Sequence, residues 1–427
     1  MHRRSVFTSL VLLLAACSGV EDPSSPSLAP LGTAQKKTEA LSQADLEKVL
    51  VIRHPSVVND PVRTVCNGPS PKDCGPWTFG AVMASLAGTN DRAAVSAMTL
   101  SWLSKWEQNQ TVNGFTVPAR PGIVPLVKTP WLQASGGSQL DFSRAPFRLL
   151  AIASRVDLRA SDFSDAGEGR LIFGVLDAQG NPTQFTVIFE YRLIAPAGCS
   201  DVSLWAWAWV NLLSKQQGTE EYNSWLQVLT DHFATIAMDP SRPNGSSINQ
   251  VRTNEIALSG PWELREFQLV CPGGARTCSN ATLEQVTVKQ TPHQSFNGST
   301  TLASYLNQNQ AAILAGTHQV PATFMGSPFL SGSAPVVGPW SAPGVTPAVR
   351  SAFALSTCDG CHQAETFTGF LHVSPRTQTG VAQFSNWLTS VEFPRREADY
   401  FNLVQQLAEA GCLEPARLLP KDPRPTH

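Results

Sequence analysis

Arg170 to Leu176 (RLIFGVL) and Gln184 to Leu193 (QFTVIFEYRL), on either side of Asp177-Ala178-Gln179-Gly180-Asn181-Pro182, decide how this chain is read. Both runs are rich in β-branched and aromatic residues, and the segment between them is a cluster of turn formers, so together they predict a β-hairpin. Further strand-like runs flank it. Phe147 to Leu158 precedes it, and Ile248 to Leu258, Trp262 to Val270 and Leu283 to Thr291 follow. Two helical stretches intervene: Ser203 to Lys215, very apolar, and Thr219 to Thr235, amphipathic with acidic residues in its first turn. Strands, two helices, then more strands predict an α+β fold, with an antiparallel or mixed sheet of about five to six strands and helices packed on it.

Before the sheet, Leu41 to Leu50 reads as a short helix that Ser42 can cap, and Trp77 to Leu86 and Ala93 to Gln108 as longer ones. Met98, Trp102 and Trp106, spaced by four, form a stripe that reads as core packing. Val112 to Pro130 is punctuated by proline and glycine and reads as a loop layer. Leu302 to Ala315 is another helix. A Pro/Gly/Ser-rich stretch then marks a boundary, so residues 41–323 form the α+β body and 324–346 a linker. Residues 347–420 read as a small helical, cytochrome-c-like module and 421–427 as a disordered tail.

That last module contains Cys358-Asp359-Gly360-Cys361-His362. Two thiols three apart can both add to the vinyl groups of a haem, and the next histidine then falls under the iron, so Cys358, Cys361 and His362 are the expected holders of a c-type haem. No methionine follows Met325. His372 is therefore the first choice for a second iron ligand, with Met325, His318, His293 or an open position as alternatives. Without haem, the same residues read as a Cys358–Cys361 or Cys361–Cys412 disulfide beside an ordinary histidine. A zinc ion on Cys358, Cys361, His362 and His372 has the right ligand count, but adjacent Cys361 and His362 fit a tetrahedron poorly.

The amino terminus sets the compartment. His2, Arg3 and Arg4 precede an apolar run from Val6 to Ala16 that is too short to span a bilayer, which reads as an export signal over residues 1–16. Leu14-Ala15-Ala16-Cys17 resembles the lipobox of bacterial lipoproteins, which implies lipid on Cys17 and attachment to a membrane. Ser18 is similar to the outer-membrane sorting choice of Gram-negative cells, so the cell envelope is the expected location. Residues 17–40 read as a flexible tether. In an exported protein the remaining cysteines should be paired or otherwise occupied, and the short spacings Cys66 to Cys74 and Cys271 to Cys278 suggest local disulfides.

The 427 residues are 42% apolar and carry a net charge of −2 with both signs mixed, which argues against nucleic acid as a partner. Charged residues nevertheless sit within the strand-like runs: Arg155, Asp157, Arg159, Glu168, Arg170, Glu190, Arg252, Glu255, Glu263, Arg265 and Glu266. Alternation would put Arg155, Asp157 and Arg159 on one face, as a solvated surface, as structural ion pairs or as the lining of a cleft for a polar ligand. No G-x-S-x-G elbow, His-Glu-x-x-His or Walker loop is present.

Several strings resemble a group of exported bacterial proteins, many from myxobacteria: VNGFTVPARP at Val112 to Pro121, APFRLLAIASRVDLR at Ala145 to Arg159, GEGRLIFGVLD at Gly167 to Asp177, and FTVIFEY, INQVRTNEIAL and PWELREF after them. Thr357 through Val373 is similar to a TCxGCHxxET-like segment followed by FLHV in that group. The resemblance implies one architecture over most of the chain and groups Cys358, Cys361, His362 and His372 in one unit; it brings no catalytic residue. The expected function is a cell-envelope lipoprotein with one covalent haem, working in electron transfer or redox sensing with a redox partner protein. The alternative is a disulfide-bonded surface binding or adhesion lipoprotein without haem.

Overall fold

The computed structural model describes residues 41–412 apart from Ser259 and Val337. Cys17, with the signal, the tether and the tail, lies outside the described residues. The chain divides into two units, one ending at Leu46 and the other beginning at Glu47. In the first, the Ser42 hydroxyl accepts from the Asp45 amide at 3.1 Å and opens a short helix.

In the second unit the predicted hairpin is the centre of the sheet. Strands β3 (Asp165–Leu176) and β4 (Pro182–Ile194) pair antiparallel with Arg170 opposite Glu190 and Phe173 opposite Val187. The turn forms because the Asp177 carboxylate accepts from the amides of Gln179 and Asn181 while Gly180 takes a φ of 80°. Outward from it lie β2 (Phe147–Arg155) on one side and β5 (Ile248–Glu255), β6 (Glu263–Val270) and β7 (Thr282–Val286) on the other.

The sheet has eight strands, all antiparallel, so the expected five to six is corrected upwards. The two additions are two-residue strands, β1 (Val51–Ile52) on β2 and β8 (Ala334–Pro335) on β6. Two residues cannot show a period of two, so neither is visible in the sequence.

Alternation sorts the strand residues onto two unlike faces. On one, Phe79 of helix α1 (Phe79–Ala87) stacks on Phe147 at 3.8 Å and meets Phe173 and Phe189 edge-on. Trp102 of α2 (Arg92–Leu103) and Trp106 just beyond it pack on Phe267. Met98, Trp102 and Trp106 are all buried, each large ring contributing about 2–3 kcal/mol by leaving water. Further along the same face, Phe233 of α4 (Glu220–Ala234) meets Tyr191, and Trp205 of α3 (Cys199–Val210) meets Phe233. Phe233 needs Gly169 beneath it, since a Cβ there would lie 2.5 Å from the ring.

Two expectations for local structure change. Strand β2 ends at Arg155, and Val156–Leu158 form a 3-10 turn, so Asp157 and Arg159 leave the sheet instead of alternating with Arg155. The loop layer contains a small hairpin, Gln110–Val112 with Phe115–Val117, and a helix, Thr129–Ser135. Among the described residues, no helix is long and apolar enough to cross a membrane.

Candidate functional site

The second face of the sheet carries charge. Glu168 and Arg170 of β3, Glu190 of β4, Gln250 and Arg252 of β5 and Glu266 of β6 run across it as cross-strand neighbours. They interlock. Arg170 bridges Glu168 at 2.6 Å and Glu190 at 3.0 Å, and Arg252 bridges Glu190 at 3.5 Å and Glu266 at 3.0 Å. The Gln250 amide donates to Glu190 at 2.5 Å and that of Asn249 to Glu168 at 3.1 Å. Glu190 and Glu266 are buried, so these pairs replace the water that each charge gave up. Burial raises the Glu266 carboxyl despite Arg252. At Glu168 burial also acts upward, but Arg170 wins and holds the group at about 2.

The turn that follows Ser356 approaches this face, where Cys358 feels the charges of Arg252 and Glu266. Helix α5 (Pro347–Ser356) ends at Thr357, whose hydroxyl accepts from the Trp340 indole at 2.9 Å, and the next turn carries the cysteines. The turn is tight at Gly360, where a Cβ would lie 2.0 Å from the Ala354 carbonyl oxygen. Cys358 packs against a small cluster of Trp262, Leu264, Val288 and Ala334, and its amide donates to the Thr291 hydroxyl at 3.1 Å. The His362 ring stacks on Trp262, with Nδ1 2.6 Å from the Phe370 carbonyl oxygen. That contact makes Nδ1 the protonated donor and leaves Nε2 with its lone pair. His372 has Nδ1 2.8 Å from the Ser385 hydroxyl and Nε2 3.6 Å from the Cys361 sulfur.

Cys358, Cys361, His362 and His372 are thus one group. Burial pushes the thiols up, to about 12 at Cys358 and about 11 at Cys361. It pushes the imidazoles down, to about 3 at His362, where His372 adds repulsion, and to about 4 at His372. All four are neutral at pH 7. A neutral imidazole is a metal ligand, whereas a thiol held above its ordinary range is a poor exchange nucleophile.

The cysteines divide cleanly. Cys66–Cys74, Cys271–Cys278 and Cys199–Cys412 are disulfides, and Cys358 and Cys361 are free and half-buried. A Cys361–Cys412 bridge is ruled out because Cys412 is bonded to Cys199.

His362 and His372 have ring centroids 4.6 Å apart. Two imidazoles on opposite sides of one metal need about 6–6.5 Å, with about 2 Å for each metal–nitrogen bond. His372 therefore does not sit as the partner of His362 across one iron. His293, His318 and Met325 are placed elsewhere: His293 stacks on Phe115, His318 bonds the Ser356 hydroxyl and Met325 is 72% exposed. Among the described residues, no three His, Cys, Asp or Glu side chains are placed to hold a metal ion.

Sequence reasoning did not find Trp262, Asn254, Ser385, Glu392 or Arg396. Asn254 accepts from the Trp262 indole and lies 3.4 Å from both His362 Nδ1 and the Phe370 carbonyl oxygen. Glu392 and Arg396 stand at the start of α6 (Phe393–Glu409). The sequence marks none of these, since each matters through a contact with a distant segment. Of the charged strand residues, Glu255, Glu263 and Arg265 lie at the edge of the aromatic face, locked to Arg120 and to one another, and Arg159 pairs with Asp399. Compared with protein-family models, with curated proteins and with solved structures, the chain finds no match.

Proposed function

We propose that this protein is a cell-envelope lipoprotein, anchored through Cys17, that carries one covalent c-type haem on Cys358 and Cys361 and passes or senses electrons with a redox partner protein. The observation that carries this reading is the division of the cysteines among the described residues: six are consumed in three disulfides, and the two left free are those three apart and followed by histidine. An exported protein keeps two such thiols when they have another use.

The residues fit the attachment. Cys358 and Cys361 would form the two thioethers, and His362 would present Nε2 to the iron, its ring oriented by the Phe370 carbonyl. Such a group, when bound, supplies a one-electron couple. Trp262 and Asn254 hold the His362 ring, and residues from Pro347 on would serve as the cytochrome-like part of the chain. His372 is left beside Cys361 as a neighbour held by Ser385.

Full-length protein made in a host with the cytochrome maturation system should stain for haem after denaturing electrophoresis and show a Soret band. An unstained band from that host removes the reading.

The second reading is a surface binding lipoprotein without haem. The close approach of His362 to His372 and its stacking on Trp262 favour it, because both rings are already packed in place. Alkylation of unreduced, denatured protein followed by intact-mass measurement separates the two. Two modified thiols in unstained protein, or four disulfides and none, point to the binding protein; a haem adduct points to the cytochrome.

A further inference from the structure

The Cys361 sulfur lies 3.6 Å from His372 Nε2, and His372 Nδ1 lies 2.8 Å from the Ser385 hydroxyl. The three side chains form a line: a thiol, an imidazole within hydrogen-bond reach of it, and a hydroxyl that orients the ring. The backbones that carry the last two are themselves paired. The Ser385 amide donates to the His372 carbonyl at 3.0 Å and the Ser374 amide to that of Gln383 at 2.8 Å, with Val373 bridged to Phe384. The Ser385 hydroxyl also accepts from the Leu388 amide at 3.2 Å, as the cap of the helix that starts at Asn386. With Nδ1 donating its proton to Ser385, Nε2 keeps the lone pair that faces the thiol.

Cys358 has no such neighbour. It packs among Trp262, Leu264, Val288 and Ala334, and among the described residues no imidazole bonds its sulfur. Burial keeps thiolate scarce at both cysteines, so an addition that waits for thiolate is slow at either. A base in contact with the sulfur opens another path, in which the proton leaves as the carbon–sulfur bond forms. Only Cys361 has that base. The position of His372, too close to His362 to share one iron with it from the opposite side, suits this task instead.

We propose that His372 is the general base that takes the proton of Cys361 as its sulfur adds to a carbon–carbon double bond, with Ser385 as the residue that positions it. This rests on the haem reading for the natural substrate, a vinyl arm, while the base itself stands on the two contacts. The Cys361 sulfur bonds to the inner carbon of the double bond, its proton passes to Nε2, and one proton is returned to the outer carbon. The base is regenerated, and no oxidant or reductant is consumed.

N-ethylmaleimide supplies a test double bond, since a thiol adds across it with the same bond changes. In the full chain made without haem, Cys361 should be modified at least about tenfold faster than Cys358, read peptide by peptide by mass spectrometry. His372→Ala should bring Cys361 down to the rate of Cys358 and leave Cys358 unchanged, and added imidazole should restore part of the loss at Cys361 alone. Ser385→Ala should slow Cys361, and Ser385→Thr, which keeps the hydroxyl, should not. Equal rates at the two cysteines in wild type, or a Cys361 rate that His372→Ala leaves alone, overturn the proposal. If both thiols speed up in His372→Ala, the turn has opened and the Ser385 variants decide: equal rates in the two overturn it. In a host with the cytochrome maturation system, His372→Ala should stain for haem with Cys361 left open to alkylation. Staining with both cysteines bonded in that variant, and no maleimide difference, removes the base and leaves the haem reading. Both bonds formed there despite a maleimide difference overturn the role of the base in attachment. A maleimide difference in a chain that never stains keeps the base and removes the haem reading.

Discussion

The imidazole of His362 lies over the indole of Trp262, with ring centroids 5.1 Å apart and planes 27° apart. Trp262 immediately precedes β6 and is 1% exposed, and its N–H donates to Asn254 on the neighbouring strand. The motif is thereby seated on the sheet by one aromatic ring. Trp262→Ala should cost about 3–5 kcal/mol in chemical denaturation, as for a large buried aromatic. Trp262→Phe keeps most of the stacking but leaves the Asn254 oxygen bare, and should cost about 1–3 kcal/mol. Equal stability of Trp262→Phe and wild type would show that the indole N–H contributes nothing.

Acid should loosen the thiol form of the protein well above the range of its carboxylates. His362 and His372 bind a proton near 6.5 in the unfolded chain but only near about 3 and about 4 when folded. Between those values the unfolded state holds more protons, so stability is complete above pH 6.5 and falls as the pH drops. Each ring, being partly exposed, contributes on the order of 2–4 kcal/mol across that window. Glu392, held at about 2 because Arg395 and Arg396 outweigh its burial, enters only at lower pH. The urea midpoint should therefore fall between about pH 7 and about pH 5, and His372→Gln should flatten that fall. A wild-type midpoint that does not move with pH would sink the idea.

The disulfide between Cys199 and Cys412 spans 213 residues and ties the start of α3 to the end of the described chain. Cross-linking so long a loop restricts the unfolded chain more than the local bridges do. Replacing both cysteines by serine should cost about 3–5 kcal/mol, against about 2–3 kcal/mol for Cys66–Cys74 or Cys271–Cys278. Thermal unfolding without reductant measures the order, and the reverse order would contradict the loop-entropy account.

Gly360, between the two free cysteines, is needed for space. Any Cβ there meets the Ala354 carbonyl, which is backbone and cannot swing aside. Gly360→Ala should cost about 1–3 kcal/mol and lower the yield of haem-stained protein. Gly369, a few residues on, has nothing within 4 Å of its virtual Cβ. Gly369→Ala should stay within about 0.5 kcal/mol of wild type, and equal effects of the two would remove the steric explanation.

The central hairpin was legible because Arg170 to Leu193 combines a period of two with a turn whose Asp177 carboxylate caps two amides. The aromatic stripe of α2 was legible as core for the same kind of reason, its spacing of four. Alternation also showed that charged residues share strands, but not what covers them. A buried ladder of Glu168, Arg170, Glu190, Arg252 and Glu266 and a solvated one have the same pattern, since the difference is made by segments arriving from elsewhere, among them the turn of Cys358 and Cys361. Asp157 and Arg159 were misplaced because a strand's last residue is set by tertiary pairing, and β2 loses its partner after Arg155 opposite Glu168.

The amino-acid order alone established what depends on near neighbours: the hairpin, the two short-range disulfides and the Cys-x-x-Cys-His spacing, because a few residues of chain bring those groups within reach. Only the folded molecule decided that Cys199 takes Cys412, that His372 sits beside Cys361 and not across from His362, and that both free thiols lie in the field of Arg252. Those contacts join segments far apart in sequence, or turn on a side chain's direction within a packed interior, and neither leaves a local periodicity to read.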